Sequence, residues 1–177
     1  MFEVHPRIAW QLAFFDGKFR IVEHSSLGMP IRTPCDFAKA LEYNPRRIAK
    51  TLLLANSSIR SKKRDDIPLS NYAVVCLPAP DRVDLEKLAD SLRWPRAEFA
   101  SGDELNRLLH YPPNGVSPLG IFGIQLFIDK TLMAFETIMI GSGAPAIEIE
   151  IEPRCLLALT HGRLCDFVKC ENAATQK

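Results

Sequence analysis

Ile48-Ala49-Lys50-Thr51-Leu52-Leu53-Leu54 sets one cation inside an otherwise apolar run of strand length. Asn44-Pro45, just upstream, starts a short helical turn that leads into it. Downstream, residues 56–70 are polar and read as a loop. Tyr72 to Leu77 then forms a second compact apolar run, the pattern of a buried strand. Working outward, Thr33-Pro34 suits an N-cap with proline at the first helical position, which predicts a helix from Cys35 to about Glu42. Before that, Ile8 to Phe15 reads as a short amphipathic helix, and Asp16-Gly17 turns it into a strand over Phe19 to Glu23.

The second half continues the alternation. Asp84 opens a helix whose Leu85, Leu88, Ala89 and Leu92 repeat at helical spacing, so one face is buried. Ser101 with Glu104 three residues on is a capping box, followed by Leu105, Leu108 and Leu109. Strands are predicted over Leu126–Ile128, Thr137–Ile140 and Ala146–Ile151. In the last of these, Ile147, Ile149 and Ile151 alternate with Glu148, Glu150 and Glu152, so one face is expected buried and one wet. Pro153 begins a final helix, and Leu164 to Val168 is expected to add an edge strand. Helices and strands mix without the regular crossovers of a doubly wound sheet. The expectation is an α+β fold: one domain over residues 1–170, a mixed, curved sheet flanked by helices, and a tail from Glu171 to Lys177.

Composition narrows the class. The chain has 177 residues, 47% hydrophobic and 24% charged, which suits one globular core. No apolar run approaches the ~20 residues of a membrane helix, and the opening Met1-Phe2-Glu3-Val4-His5-Pro6 lacks a secretory pattern. Five cysteines without a Cys-x-x-Cys pair suit reduced thiols in a cytoplasmic protein. The net charge of +1 hides a local excess: Arg46, Arg47, Lys50, Arg60, Lys62, Lys63 and Arg64 fall between Tyr43 and Arg64 with no acidic residue. Such a face could meet a polyanion. The plain alternative for Arg60 to Arg64 is a solvated loop beside Asp65 and Asp66.

Several motifs fail. Gly115-Val116-Ser117-Pro118-Leu119-Gly120 has its second glycine one position too late for a nucleophile elbow, and Pro118 opposes the required turn into a helix. Gly141-Ser142-Gly143-Ala144-Pro145-Ala146 matches a dinucleotide fingerprint, but a strand follows rather than a helix, so it reads as a hairpin turn. His5, His24, His110 and His161 show no metal-ligand spacing; each is expected to be structural or exposed, and no metal or cofactor is expected.

Three segments taken together resemble the YbaK/prolyl-tRNA-synthetase-associated domain family of aminoacyl-tRNA editing deacylases. They are Ile48–Leu54 with its lysine, the loop Tyr111-Pro112-Pro113-Asn114-Gly115-Val116-Ser117-Pro118-Leu119-Gly120, and the stretch from Ile128-Asp129 through Phe135-Glu136 and Gly141-Ser142-Gly143 to Ile147-Glu148-Ile149. Val22-Glu23-His24 and the helix from Pro34 fall at matching distances, so the likeness spans roughly residues 8 to 168. Asn114 stands where many members have glycine, and the 56–70 loop is longer and more basic than theirs.

The resemblance implies hydrolysis of the ester of a mischarged transfer RNA. That ester is already activated, so neither a protein nucleophile nor a metal is required. Lys50 is implied to anchor the 3′-terminal nucleotide, and Gly115 and Ser117 to act in catalysis on a loop completed by Val116 and Pro118. Gly141, Ser142 and Gly143 are implied to wall the aminoacyl group. Arg46, Arg47, Arg60, Lys62, Lys63 and Arg64 are the candidate RNA contacts, and a synthetase is a candidate partner. Oligomeric state and the amino acid removed are not legible. Two alternatives stay open: a non-catalytic module binding a nucleotide or RNA end, and hydrolysis of another small acyl ester. Lys50 could merely snorkel from its strand, and Ser117 could be a capping hydroxyl.

Overall fold

Helix starts in this chain are set by local side chains. In a computed structural model describing residues 4–59, 67–112 and 115–169, Thr33 accepts from the Asp36 amide while Asp36 bonds back to Thr33, opening α2 (Pro34–Ala40). Ser101 and Glu104 form the expected capping box of α4 (Gly102–Leu109). His5 caps α1 (Pro6–Ala13) and Asp84 caps α3 (Leu85–Leu92), while α5 (Pro153–Thr160) starts on its proline. Each cap satisfies amide donors that the first helical turn leaves unpaired.

The strands join into two hydrogen-bonded sheets. The smaller has the order β1 (Phe19–Glu23), β7 (Ile147–Ile151), β6 (Ile138–Gly141), all antiparallel. The larger has the order β4 (Ala97–Phe99), β2 (Ala49–Asn56), β3 (Tyr72–Pro78), β5 (Gln125–Asp129), β8 (Arg163–Cys165). In it β2 runs antiparallel to β3 and β4, whereas β3–β5 and β5–β8 are parallel. Among the described residues, one bridge, Ile48 with Met139, links the two. The α+β expectation holds, and its one curved sheet is resolved into two linked ones.

Alternation assigns the faces of the larger sheet. Leu53, Ala55, Tyr72, Val74, Cys76, Leu126 and Ile128 pack into one cluster with residues of α1, α4, α5 and the smaller sheet. Leu54, Ala73, Val75, Leu77 and Phe127 pack into a second with Leu88 of α3 and Phe167. Every residue of β3 is buried, as a central strand covered on both faces must be.

Three local expectations are corrected. β4 is an additional strand, too short to carry a periodic signal. The edge strand falls at Arg163–Cys165 rather than Leu164–Val168, because the buried Asp129 carboxylate accepts the Phe167 amide at 3.1 Å and draws the chain off the sheet. The glutamate face of β7 is not wet. Val22 and Met139, on that face of the paired strands, pack with Phe37 and Ala38 of α2 and with Ile48. Glu148 and Glu150 are consequently only 22% and 12% exposed.

Glu150 is held by four neighbours. Thr137 and Tyr43 donate to its carboxylate at 2.6 and 2.8 Å, Arg20 at 2.8 Å, and Arg47 lies 3.2 Å away. Burial opposes ionisation, but the hydrogen bonds from Thr137, Tyr43 and Arg20 outweigh it and hold the carboxyl below its ordinary range. A depressed folded value means stability present above the unfolded value, ~4.3 for glutamate, and lost as pH falls through the folded one. Glu150→Gln is therefore expected to lower stability at neutral pH by about 1.5–3 kcal/mol, the usual worth of a charge-assisted contact. The gap to wild type should close on acidification, as read by urea unfolding across the pH range.

Candidate active site

A cleft of about 460 Å³ opens where the first residues of β2, the N-terminus of α2 and the smaller sheet meet. Lys50, Thr51 and Leu52 of β2 line it, with Arg32, Thr33 and Phe37 from α2 and its approach, His24 after β1, Glu148 of β7, and Val116 and Gly141. These positions are far apart in sequence. The sheet pairings bring them together.

Lys50 pairs with Leu77 near the end of the β2–β3 ladder, and from there it lines the cleft. Its ammonium donates to the carbonyl of Ala79 at 2.9 Å and to that of Asp81. Burial lowers its pKa, with Asp81 opposing and Arg82 adding to the shift. An ammonium has three donors. Two carbonyls aim the group and leave a third N–H for a ligand.

The facing wall is a close backbone contact. A Cβ on Gly141 would run into the carbonyl oxygen of Val116, so glycine is what allows the 115–116 backbone to lie against β6. Gly141, Ser142 and Gly143 form the end of β6 and the connection to β7, which is the hairpin that the sequence suggests. Gly143 has φ of 79° and is packed under His5, Tyr111 and Ile8. The Tyr111 hydroxyl donates to the Leu119 carbonyl at 2.6 Å and closes the loop from behind.

The sequence profile of a family described as the aminoacyl-tRNA editing domain matches residues 29–159. The chain belongs to that family. It is 23% identical over 135 residues to EbsC of Enterococcus faecalis, provisionally named a Cys-tRNA(Pro)/Cys-tRNA(Cys) deacylase, covering 76% of each chain. A solved structure provisionally described as a trans-editing enzyme for prolyl-tRNA synthetase superposes with a TM-score of 0.76 at 21% identity, covering 96% of this chain and 99% of the other. The hypothetical protein APE2540 superposes with the same score and identity, over 92% and 99%. At these identities the superpositions speak for the fold.

Within this editing domain the sequence-derived candidates separate. Lys50, Val116 and Gly141 line the cleft. Gly115, Ser117, Pro118, Ser142 and Gly143 are buried and do not line it. The Ser117 hydroxyl accepts from the Leu119 amide at 3.2 Å, the capping role, and that of Ser142 accepts from the Ala144 amide at 3.3 Å. Arg47 is engaged with Thr137 and Glu150 and stacks on the Tyr43 ring at 3.6 Å. Arg46 binds the Asp81 carboxylate at 2.8 Å, steadying the segment whose carbonyl holds Lys50. Arg60, Lys62, Lys63, Arg64, Asn114 and the tail from Glu171 lie outside the described residues. Among those described, no helix is long and apolar enough to cross a membrane.

Sequence reading missed His24 and Glu148 as site residues. His24, expected to be structural or exposed, lines the cleft, with its ring centroid 5.0 Å from that of Phe37. Its Nε2 atom lies 3.6 Å from Glu148. The available signal was Val22-Glu23-His24 at its matching distance before Lys50, but a lone histidine carries no spacing from which to infer a ligand.

Proposed function

We propose that this editing domain hydrolyses the ester joining a wrongly attached amino acid to the 3′-terminal ribose of a transfer RNA. The observation that carries the reading is the one cleft that Lys50 and the Val116–Gly141 contact both line. Its volume falls in the range of small-ligand sites, ~300–1,000 Å³, and suits a terminal nucleoside with a small aminoacyl group. Lys50 anchors the nucleotide through a phosphate, as a point charge aimed by two carbonyls. The Val116 backbone holds the ester and its attacking water, with Gly115, Ser117 and Pro118 supporting the loop from behind. A ribose hydroxyl or ordered water carries the proton, so no protein nucleophile is needed. The names of the relatives make cysteine on prolyl- or cysteinyl-specific transfer RNA the first substrates to try, in the cytoplasm and with or without a synthetase.

The test is a panel of mischarged transfer RNAs. Turnover is expected on at least one small amino acid, and at subsaturating RNA it should fall as salt rises, because phosphate contacts release counterions. Binding without turnover across the whole panel would replace the enzyme with an RNA-end-binding module. Equal turnover of a small acyl ester, insensitive to salt, would remove the RNA from the reading.

A further inference from the structure

Glu148 and Glu150 stand two residues apart on one face of β7, yet their surroundings differ. Glu150 has partners in Thr137, Tyr43, Arg20 and Arg47. Glu148 faces the cleft with the buried Nε2 of His24 3.6 Å away, an ion-pair distance longer than a normal hydrogen bond, and that Nε2 has no closer polar partner among the described residues. A carboxylate at the edge of a cleft, aimed by one long contact and with no closer partner of its own, is completed by a ligand that brings donors.

Among the described residues, Glu148 is the single acidic one lining a cleft whose other charged members are the cations Arg32 and Lys50. A cleft built only for phosphate would gain nothing from that carboxylate. Its place narrows what it meets. Gly141 and Glu148 are directly paired in the β6–β7 register, which sets their Cα atoms ~5 Å apart. Gly141 in turn lies against the Val116 carbonyl. An ester held at that loop has its α-amino group two bonds from the reacting carbonyl, beside Glu148. Burial makes the carboxyl harder to ionise and His24 opposes this, so a cationic partner is favourable there.

Resting on the deacylase reading above, we infer that Glu148 receives the free α-amino group of the aminoacyl ester, with His24 as its positioning residue. The site thereby selects esters with an unblocked amine over N-acylated ones, whose amide has lost the charge. The experiment compares one mischarged transfer RNA with its N-acetylated form. Wild type is expected to prefer the free amine by tenfold or more. Glu148→Gln should slow the free-amine substrate about tenfold and leave the N-acetyl rate unchanged, which also reports that the variant is folded. His24→Gln should lower the preference in part, a ratio that a merely structural role would not move. Equal wild-type rates on both esters, or Glu148→Gln slowing both alike, would overturn the inference while leaving the deacylase reading intact. Wild type hydrolysing neither would overturn both.

Discussion

Lys50→Ala is expected to slow deacylation about ten- to a hundredfold in a protein that still folds, since a charge-assisted contact is worth ~1.5–3 kcal/mol and each 1.4 kcal/mol is a factor of ten. Lys50 is half-buried near the end of its ladder and lines the open cleft, so truncation widens the cleft rather than leaving a closed cavity. Its carbonyl partners, Ala79 and Asp81, belong to segments secured by other bonds: the Ala79 amide to the Ile48 carbonyl at 2.7 Å, and the Asp81 carboxylate to Arg46. Lys50→Met, which keeps the stem, should show the same kinetic loss with a smaller change in melting temperature. Unchanged turnover in both folded variants would take the ammonium out of the mechanism.

Gly141→Ala carries the second large effect, on stability and activity together. The added methyl meets a backbone carbonyl, that of Val116, which cannot rotate aside as a flexible side chain would. Over-packing of this kind costs ~1–3 kcal/mol, or about 2–12 °C in melting temperature for a chain of this size. Relief by moving the 115–116 backbone outward would displace the loop from the ester, so turnover should fall further than the loss of stability explains. Ser142→Ala is the control. Its hydroxyl only closes the adjacent turn, so thermal unfolding and turnover should both change little. Wild-type behaviour from Gly141→Ala would mean that the Val116–Gly141 contact is not a wall of the reaction cleft.

Much of the site's framework was legible because its signals are local. Thr33 and Ser101 cap the helices that their spacing predicts, and the Gly141–Gly143 hairpin follows from strand signals on both sides of a glycine-rich turn. Lys50 stands out as a cation that an apolar strand cannot bury unpaired. The glutamate face of β7 was misread for the opposite reason. Alternation separates two faces but says nothing about what lies over either. Cover from α2 and Ile48 turned the expected wet face into a third core cluster with a cleft beside it. Arg47 looked like a free cation because its partners, Thr137 and Glu150, are some ninety and a hundred residues away.

The amino-acid sequence by itself determined the order of the helices and of the strands other than the short β4, the principal caps, the hairpin and the lysine that marks the cleft. Each depends on interactions within a few residues, whose energies the neighbouring side chains set. Tertiary structure alone decided which carboxylate is satisfied and which is left open, and which arginines are tied into the scaffold. Those outcomes depend on strands far apart in the chain being brought into register, and the energy that selects the register is spread over the whole core.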